Sequence, residues 1–280
     1  MRQLLADFRD AQCAQRVDFA AEEAPDRIVR ALRERGFALV AMGGSGEADV
    51  ALKTLATALH LGDPYVPALY QNASAREYSA SYSDIRSDAE DRHPGFSTTA
   101  GQGWHVDGLL DAIGVIKTTV LFCVRAAHRG GETLLFNSPA AFAALRRTDP
   151  AAAKALLSPV ALRRRATIPG VDASATGPVF RTEPNGDLIT RYTDNETCEW
   201  AFSAGPPGGL HRALEFLRAA SEEPRYRLSV RLAADEALVF RNDRLSHGRQ
   251  PYEDTPDTRR HLVRALYTKA PTATGLPGPR

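Results

Sequence analysis

The sequence has few cysteines, few lysines, no long apolar run and almost no net charge. Its 280 residues include only three cysteines, without a Cys-x-x-Cys pair, which excludes a disulfide-rich scaffold and predicts a reduced, cytoplasmic protein. No stretch reaches the roughly 18 apolar residues of a membrane-spanning helix, and charged side chains interrupt the N-terminus where a signal peptide is apolar. The net charge of +1 gives no indication of a nucleic-acid or membrane-surface partner.

Arginine makes up nearly all of the basic side chains. Only four of the 35 basic residues are lysines, which leaves 31 arginines, so an arginine near a motif carries little weight by itself. Charged residues form 25% of the chain and hydrophobic residues 43%, as in ordinary globular proteins. This length fits one large domain or at most two small ones, and we predict a single domain over residues 1–280.

Helical periodicity marks four segments of the chain. The first has Pro25 in its first turn and is followed by Gly36, a typical C-cap. The four predicted helices span 22–35, 48–61, 139–158 and 210–220. We therefore expect a helical flank over about 1–62 and a helical insert, or lid, over about 139–225.

Strand patterns occupy most of the rest. The predicted strands lie at 37–42, 104–106, 115–124, 133–136, 188–192, 226–232, 237–240 and 260–268. Because no βαβ alternation is present, the pattern predicts a mostly β (α+β) fold, an antiparallel barrel or sandwich with flanking helices. The Pro- and Gly-rich tail at about 271–280 is expected to be frayed.

His105 and Asp107 form a candidate metal-binding pair. Residues i and i+2 of a strand point to one face, so the imidazole and the carboxylate can converge on one ion. A second histidine would complete the 2-His-1-carboxylate triad of non-haem iron sites. A His-x-acid pair is expected about once by chance in this composition, so a surface histidine beside an aspartate is the alternative.

His247 is the candidate third ligand. It ends an apolar strand at a polar turn, and Gly248 behind it permits a tight bend. If its strand neighbours that of His105, both rings can reach one metal. The remaining histidines are expected in surface or packing roles: His60, His93, His128, His211 and His261.

Two arginines of the last predicted strand are candidate anion-binding residues. Arg260 and Arg264 share one face by the period of two, whereas His261 lies on the other. Two inward guanidinium groups would be unfavourable unless each met an anion, and guanidinium grips carboxylates through paired hydrogen bonds. A solvated strand that carries two of the 31 arginines is the alternative.

The order of these motifs resembles the taurine dioxygenase/TfdA group of Fe(II)- and 2-oxoglutarate-dependent oxygenases. The resemblance covers about 30–270 and rests on His105-x-Asp107, Gly-Gly-x-Thr ending at Thr133, His247-Gly-Arg, and Arg-Arg-x-x-x-Arg ending at Arg264. It implies a double-stranded β-helix (jelly-roll) core. It also implies Fe(II) as cofactor, with 2-oxoglutarate and O2 as co-substrates.

The resemblance also implies roles for individual residues. The iron ligands would be His105, Asp107 and His247. Thr133 and Arg260 match residues that bind the distal carboxylate of 2-oxoglutarate, and Arg264 matches an arginine that contacts either 2-oxoglutarate or an anionic group of the substrate. Asp107 differs from the glutamate frequent in clavaminate synthase relatives. Halogenases of this scaffold lack the carboxylate, so Asp107 also argues against halogenation.

Two polar clusters are candidate substrate contacts, with a loop surface as the alternative. The first cluster is Tyr82, Asp84 and Arg86; the second is Tyr192, Asp194, Asn195 and Trp200. Arg264 is a further candidate for a carboxylate, sulfonate or phosphate of the substrate.

The expected reaction is hydroxylation of an unactivated C–H bond in a small polar molecule, amino-acid-derived or anionic, with release of succinate and CO2. Natural-product biosynthesis is the expected setting, with catabolic oxidation as the alternative. Desaturation, cyclisation or epimerisation with the same cofactors stays open. A cupin-like barrel that binds a metal or ligand without redox chemistry also stays open, and it would not need the Arg260–Thr133 pair.

Overall fold

A computed structural model of the chain describes residues 5–9, 15–44, 47–71, 75, 78–88, 93, 95–203 and 205–273. Cys13 and most of the predicted frayed tail (274–280) lie outside these residues. Cys123 and Cys198 are free thiols. Over the described residues, no helix combines the length and apolar character needed to cross a bilayer.

Short strands and five helices build the described part of the chain. The helices are α1 (Ala24–Arg35), α2 (Ala48–Ala58), α3 (Ser138–Thr148), α4 (Pro150–Ala155) and α5 (Gly209–Ala220). The strands are β1 (Val17–Asp18), β2 (Phe37–Ala41), β3 (Tyr82–Ile85), β4 (Gln102–His105), β5 (Thr118–Arg125), β6 (Arg129–Gly130), β7 (Thr133–Phe136), β8 (Leu162–Arg165), β9 (Ser174–Gly177), β10 (Phe180–Thr182), β11 (Leu188–Thr190), β12 (Cys198–Trp200), β13 (Arg227–Val230), β14 (Glu236–Arg241), β15 (Ser246–Arg249), β16 (Tyr252–Glu253) and β17 (His261–Tyr267).

Two large sheets face each other across an apolar layer. The six-stranded sheet has the order β1-β2-β14-β5-β17-β3 and the four-stranded sheet has the order β13-β7-β15-β4. Leu121 and Leu262 of the first sheet share a buried cluster with Leu135 and Leu228 of the second. Alternate residues of the first sheet, such as Val263, pack instead with α1 and α2. The predicted mostly β fold with flanking helices is confirmed.

The predicted helices are present, with one division. Pro25 lies in the first turn of α1, and Gly36 ends it in the left-handed conformation at φ +80°. The helix predicted at 139–158 is two helices, because Pro150 cannot donate the backbone hydrogen bond that would continue α3. The Asp149 side chain instead caps α4 by accepting from the Ala152 amide at 2.9 Å.

The insert at 139–225 is only partly helical. It contains α3 to α5, but also five short strands, β8 to β12, of which the sequence predicted only the region of β11. The reason is visible in β8, where burial alternates along Leu-Arg-Arg-Arg and the second buried position is Arg164. The strand therefore lacks the apolar alternation by which strands are predicted.

Candidate metal centre and its cavity

His105 and His247 face each other on adjacent strands. β4 and β15 are antiparallel neighbours, with His105 in register with His247 and the two ring centroids 4.0 Å apart. His247 lies inside β15 and not at a turn, which corrects the sequence-based expectation. A side chain on Gly248 would lie 2.7 Å from the Gln102 carbonyl oxygen, so this glycine permits close approach of the strands and not a bend.

Asp107 completes the cluster two residues after His105. One ligand atom from each of His105, Asp107 and His247 lies within 4.8 Å of the other two, and all three side chains are buried. The Asp107 carboxylate oxygen Oδ2 is 3.7 Å from Nε2 of His247. Two imidazoles and one carboxylate on one side of a common point are the donor set of non-haem Fe(II) sites, so these residues fit that ion.

Neighbouring groups orient two of the three donors. Nδ1 of His105 is 2.9 Å from the Gly103 carbonyl oxygen, which leaves Nε2 for a metal. The Thr119 hydroxyl donates to Oδ2 of Asp107 at 2.8 Å, and the Asn242 side-chain oxygen accepts from the Asp107 amide at 2.9 Å. Thr119 and Asn242 were not predicted as site residues, because nothing local in the sequence indicates that they reach Asp107.

The protonation states suit metal binding. Burial, reinforced by the nearby His247, lowers the pKa of His105 to about 3, and burial also lowers the pKa of His247. Burial alone would raise the pKa of Asp107, but the charges of Arg264 and of the two histidines outweigh it and lower that pKa. At neutral pH the cluster therefore offers two neutral imidazoles and one carboxylate.

Arg264 pairs with the metal-site carboxylate. Its Nη1 lies 2.5 Å from Oδ1 of Asp107, and its guanidinium carbon is 4.6 Å from the centre of the Phe96 ring. The sequence resemblance left Arg264 to either 2-oxoglutarate or the substrate. The structure places it on a proposed metal ligand, where it neutralises the Asp107 charge and fixes one carboxylate oxygen.

A cavity of about 690 Å³ of empty space, partly open to solvent, adjoins the cluster. His105, Asp107 and Arg264 line it at the metal end. Its other walls include Tyr70, His93, Phe96, Arg164, Thr167, Asn195 and Thr197. His93 is thus a buried cavity residue, stacked on Phe96 at 3.6 Å between ring centroids. Aromatic, cationic and amide side chains therefore share one cavity with the candidate metal ligands.

Thr133 and Arg260 meet in a second, smaller cavity of about 250 Å³. Arg260 is 3% exposed, and its Nη1 has no hydrogen-bond partner among the described residues. Gly131 borders it, where a side chain would come within 3.1 Å of Arg260 Nε. The structure therefore brings the predicted threonine and arginine together, in a cavity separate from the one beside His105.

Most candidate substrate contacts lie elsewhere. Tyr82 and Asp84 are on the edge strand β3, where Asp84 contacts His261, and Arg86 is exposed. Tyr192 is fully buried behind the smaller sheet, with its ring centroid 5.6 Å from that of Phe136. Asp194 forms an ion pair with Arg218.

These positions correct the grouping of polar residues along the sequence. Of the two clusters, whose residues are all described, only Asn195 lines the cavity beside the candidate metal ligands, which Arg264 also lines. Residues close together in an extended segment can point in different directions. Tyr192 therefore packs in the core, whereas Asn195 lines the cavity. Tyr70, Phe96 and Arg164 were not predicted as cavity residues, because they lie far apart in the sequence and only the fold brings them together.

Comparison with known proteins gives one consistent family. Residues 4–266 match the model described as "Taurine catabolism dioxygenase TauD, TfdA family". A relative from Amycolatopsis sp. is 68% identical over 273 residues, which is 98% of this chain and 99% of the relative. A relative from Streptomyces sp. is 42% identical over 252 residues, 88% of this chain and 90% of the relative. Both relatives are named uridine-5'-phosphate dioxygenase.

Solved structures agree on the fold. The non-heme iron oxygenase OrfP, in complex with Fe and alpha-ketoglutaric acid, has a TM-score of 0.66 at 16% identity, covering 89% of this chain and 81% of OrfP. Asparagine oxygenase has a TM-score of 0.57 at 18% identity, covering 93% and 88%. At these identities the likeness establishes a shared fold and no shared substrate.

Proposed function

The chain belongs to the taurine catabolism dioxygenase TauD, TfdA family, and from that premise we propose that its substrate is uridine 5'-phosphate. It is an Fe(II)- and 2-oxoglutarate-dependent dioxygenase that hydroxylates a small polar substrate. The observation that carries the substrate proposal is the cavity beside the metal cluster. Its lining includes the aromatic residues Tyr70 and Phe96 and the buried guanidinium of Arg164. The 68% identical relative is named for the same nucleotide.

The proposed metal site is the cluster of His105, Asp107 and His247, which would hold Fe(II). Bound iron and 2-oxoglutarate supply the oxidising chemistry that acts on a substrate C–H bond. In the balanced reaction, one atom of O2 enters the substrate as a hydroxyl and the other enters succinate, and CO2 is released. The chain's own part is to hold the donors in their metal-binding protonation states and to place the nucleotide beside them.

Thr133 and Arg260 are the proposed partners of the distal carboxylate of 2-oxoglutarate. Thr133 pairs with Arg249 of β15, two residues from His247, which is roughly 7 Å along the strand. That separation suits a five-carbon diacid whose other end lies at the metal. Arg260 is buried, with no carboxylate in ion-pair distance among the described residues, so an incoming carboxylate would supply the anion that burial of a guanidinium requires.

The aromatic wall is the proposed base-binding region. Tyr70 and Phe96 line the cavity, and the Tyr70 hydroxyl is 2.9 Å from Nε2 of His93, which stacks on Phe96. Aromatic faces are a common platform for nucleobases because every base presents a π-face. The Thr197 hydroxyl and the Asn195 amide add polar groups to the lining of the same cavity.

We further propose that the two facing sheets form the double-stranded β-helix of this family and that the chain is one domain. The shared apolar layer between the sheets supports this, because residues from both ends of the chain contribute to it. The insert that carries Arg164 and Asn195 borders the cavity, as a lid would. Free thiols at Cys123 and Cys198 suit a reducing cytoplasm.

A coupled assay tests the function. With Fe(II), 2-oxoglutarate and O2, succinate formed should equal uridine 5'-phosphate consumed, and taurine or free amino acids should give little succinate. Product masses distinguish hydroxylation from desaturation or cyclisation. If the protein binds iron but neither binds nor consumes 2-oxoglutarate, the non-redox barrel becomes the better account. If succinate forms without nucleotide consumption, the substrate proposal is wrong.

A further inference from the structure

Arg164 is a buried cation on a strand of otherwise exposed arginines. Its neighbours Arg163 and Arg165 point outward, and both form ion pairs with Glu199. Arg164 points inward and is 3% exposed. It lines the cavity beside the metal cluster.

The hydrogen bonds of Arg164 do not neutralise its charge. Its Nη1 donates to the Val106 carbonyl oxygen at 3.0 Å, and its Nε has no partner among the described residues. No described carboxylate forms an ion pair with it, since Oδ1 of Asp107 is held by Arg264. A buried guanidinium without an anion is unfavourable, so the arrangement is poised for an anionic ligand.

A second buried arginine strengthens the positive potential. Arg191 is also 3% exposed, and its Nη2 donates to the Ala175 carbonyl oxygen at 2.9 Å. Burial lowers the pKa of Arg164 to about 10, and the charge of Arg191 adds to this, so that the guanidinium is still protonated at neutral pH. Of the two described acids that line the cavity, Asp107 is paired with Arg264 and Glu196 is exposed.

The location of Arg164 separates it from the other anion-binding candidates. Val106, to which it bonds, lies between the metal ligands His105 and Asp107. Arg260 lies in the smaller cavity with Thr133, and Arg264 is paired with Asp107. Of the three, Arg164 is the cation that faces the large cavity without a carboxylate partner among the described residues.

We propose that Arg164 binds the phosphate group of the nucleotide substrate and so distinguishes uridine 5'-phosphate from uridine. The inference rests on the proposed function, which supplies the phosphate. The planar guanidinium matches phosphate oxygens in a bidentate arrangement, and the low dielectric of the cavity strengthens the pair. Arg164 is thus a specificity-determining residue contributed by the insert.

The test compares R164M with R163M, which removes an exposed arginine from the same strand. Binding of uridine 5'-phosphate and of uridine is measured on the anaerobic Fe(II)·2-oxoglutarate enzyme, by the change each causes in its visible absorption, and KM is measured for both. R164M should weaken nucleotide binding at least about 30-fold and change uridine binding by less than about 3-fold. R163M should match wild type for both ligands.

Three outcomes separate the possibilities. If R164M still prefers the nucleotide over uridine as strongly as wild type does, Arg164 is structural and the proposal is wrong. If wild type itself does not prefer the nucleotide, the proposed function fails, and the role of Arg164 fails with it. If R164M does not fold, R164K decides: roughly tenfold weaker nucleotide binding with unchanged uridine binding supports the proposal, and unchanged nucleotide binding overturns it.

Discussion

His105 and His247 lie directly opposite each other on two antiparallel strands, although about half of the chain separates them in sequence. Their register brings two imidazoles within 4.0 Å, between ring centroids, and Asp107 follows two residues later. A slip of one residue between β4 and β15 would send one imidazole to the opposite face of the sheet. The register between these strands therefore determines whether the two imidazoles can bind one metal ion.

Thr119 should matter for iron binding through its hydrogen bond to Asp107. T119V removes a donor that orients a buried carboxylate. We expect Fe(II) affinity to fall about 10- to 100-fold, measured by anaerobic titration. T118V is the matched control, because Thr118 is also buried on β5 but donates to the Lys269 carbonyl oxygen, so iron affinity should stay at the wild-type value. Equal losses in both variants would contradict the orienting role.

Arg260 should control the affinity for 2-oxoglutarate. R260A removes the buried guanidinium beside Thr133, so KM for 2-oxoglutarate should rise at least about 30-fold while KM for the nucleotide changes little. T133V should give a smaller rise, because one neutral donor is lost. R259A, at the exposed neighbouring position, serves as the control. An R260A enzyme with normal KM for 2-oxoglutarate would refute the assignment.

The Tyr192 hydroxyl should have no role in substrate binding or catalysis. It is buried without a partner among the described residues, so Y192F should keep wild-type KM values and equal or slightly higher stability. Y192A should lower the free energy of unfolding by about 3–5 kcal/mol, because it empties a packed aromatic site. Urea unfolding and steady-state kinetics measure both effects. A clear rise in nucleotide KM for Y192F would restore Tyr192 as a substrate contact.

The preference for the phosphorylated substrate should depend on pH. A phosphate monoester takes up its second charge near a pKa of about 6, whereas Arg164, with a pKa of about 10, is protonated throughout. The ratio of kcat/KM for uridine 5'-phosphate to that for uridine should therefore rise up to about tenfold between pH 5 and 7.5 and then level off. Using the ratio cancels titration at the metal ligands. A ratio that falls over this range would contradict phosphate binding by a fixed cation.

Local patterns predicted the elements whose buried positions are apolar. The helices α1 and α5 and strands such as β5 and β14 follow their periodicity closely. β8 was missed because its second inward position is Arg164, and a buried arginine has the same sequence signature as an exposed one. The buried arginine that obscured the strand pattern is also the residue that we propose binds the substrate phosphate.

The candidate metal ligands were predictable, but their surroundings were not. His105 and Asp107 are only two residues apart, so they lie close together even though β4 ends at His105 and Asp107 follows it in a loop. The family resemblance supplied the distant histidine. The pairing of Arg264 with Asp107 depends on how β17 lies against the metal-bearing loop, which no local pattern encodes. The burial of Tyr192 was equally unpredictable, because this aromatic side chain packs in the core although it belongs to a polar segment.

The most direct test of the metal site is an anaerobic titration with Fe(II) and 2-oxoglutarate, followed by visible absorption. Wild type should bind one Fe(II) per chain and develop the charge-transfer band of an iron-bound 2-oxo acid. H105A, D107A and H247A should each lose it, whereas H128A, at an exposed position, should keep it. A band of undiminished strength in any of the three cluster variants would contradict the assignment of these side chains as the iron ligands.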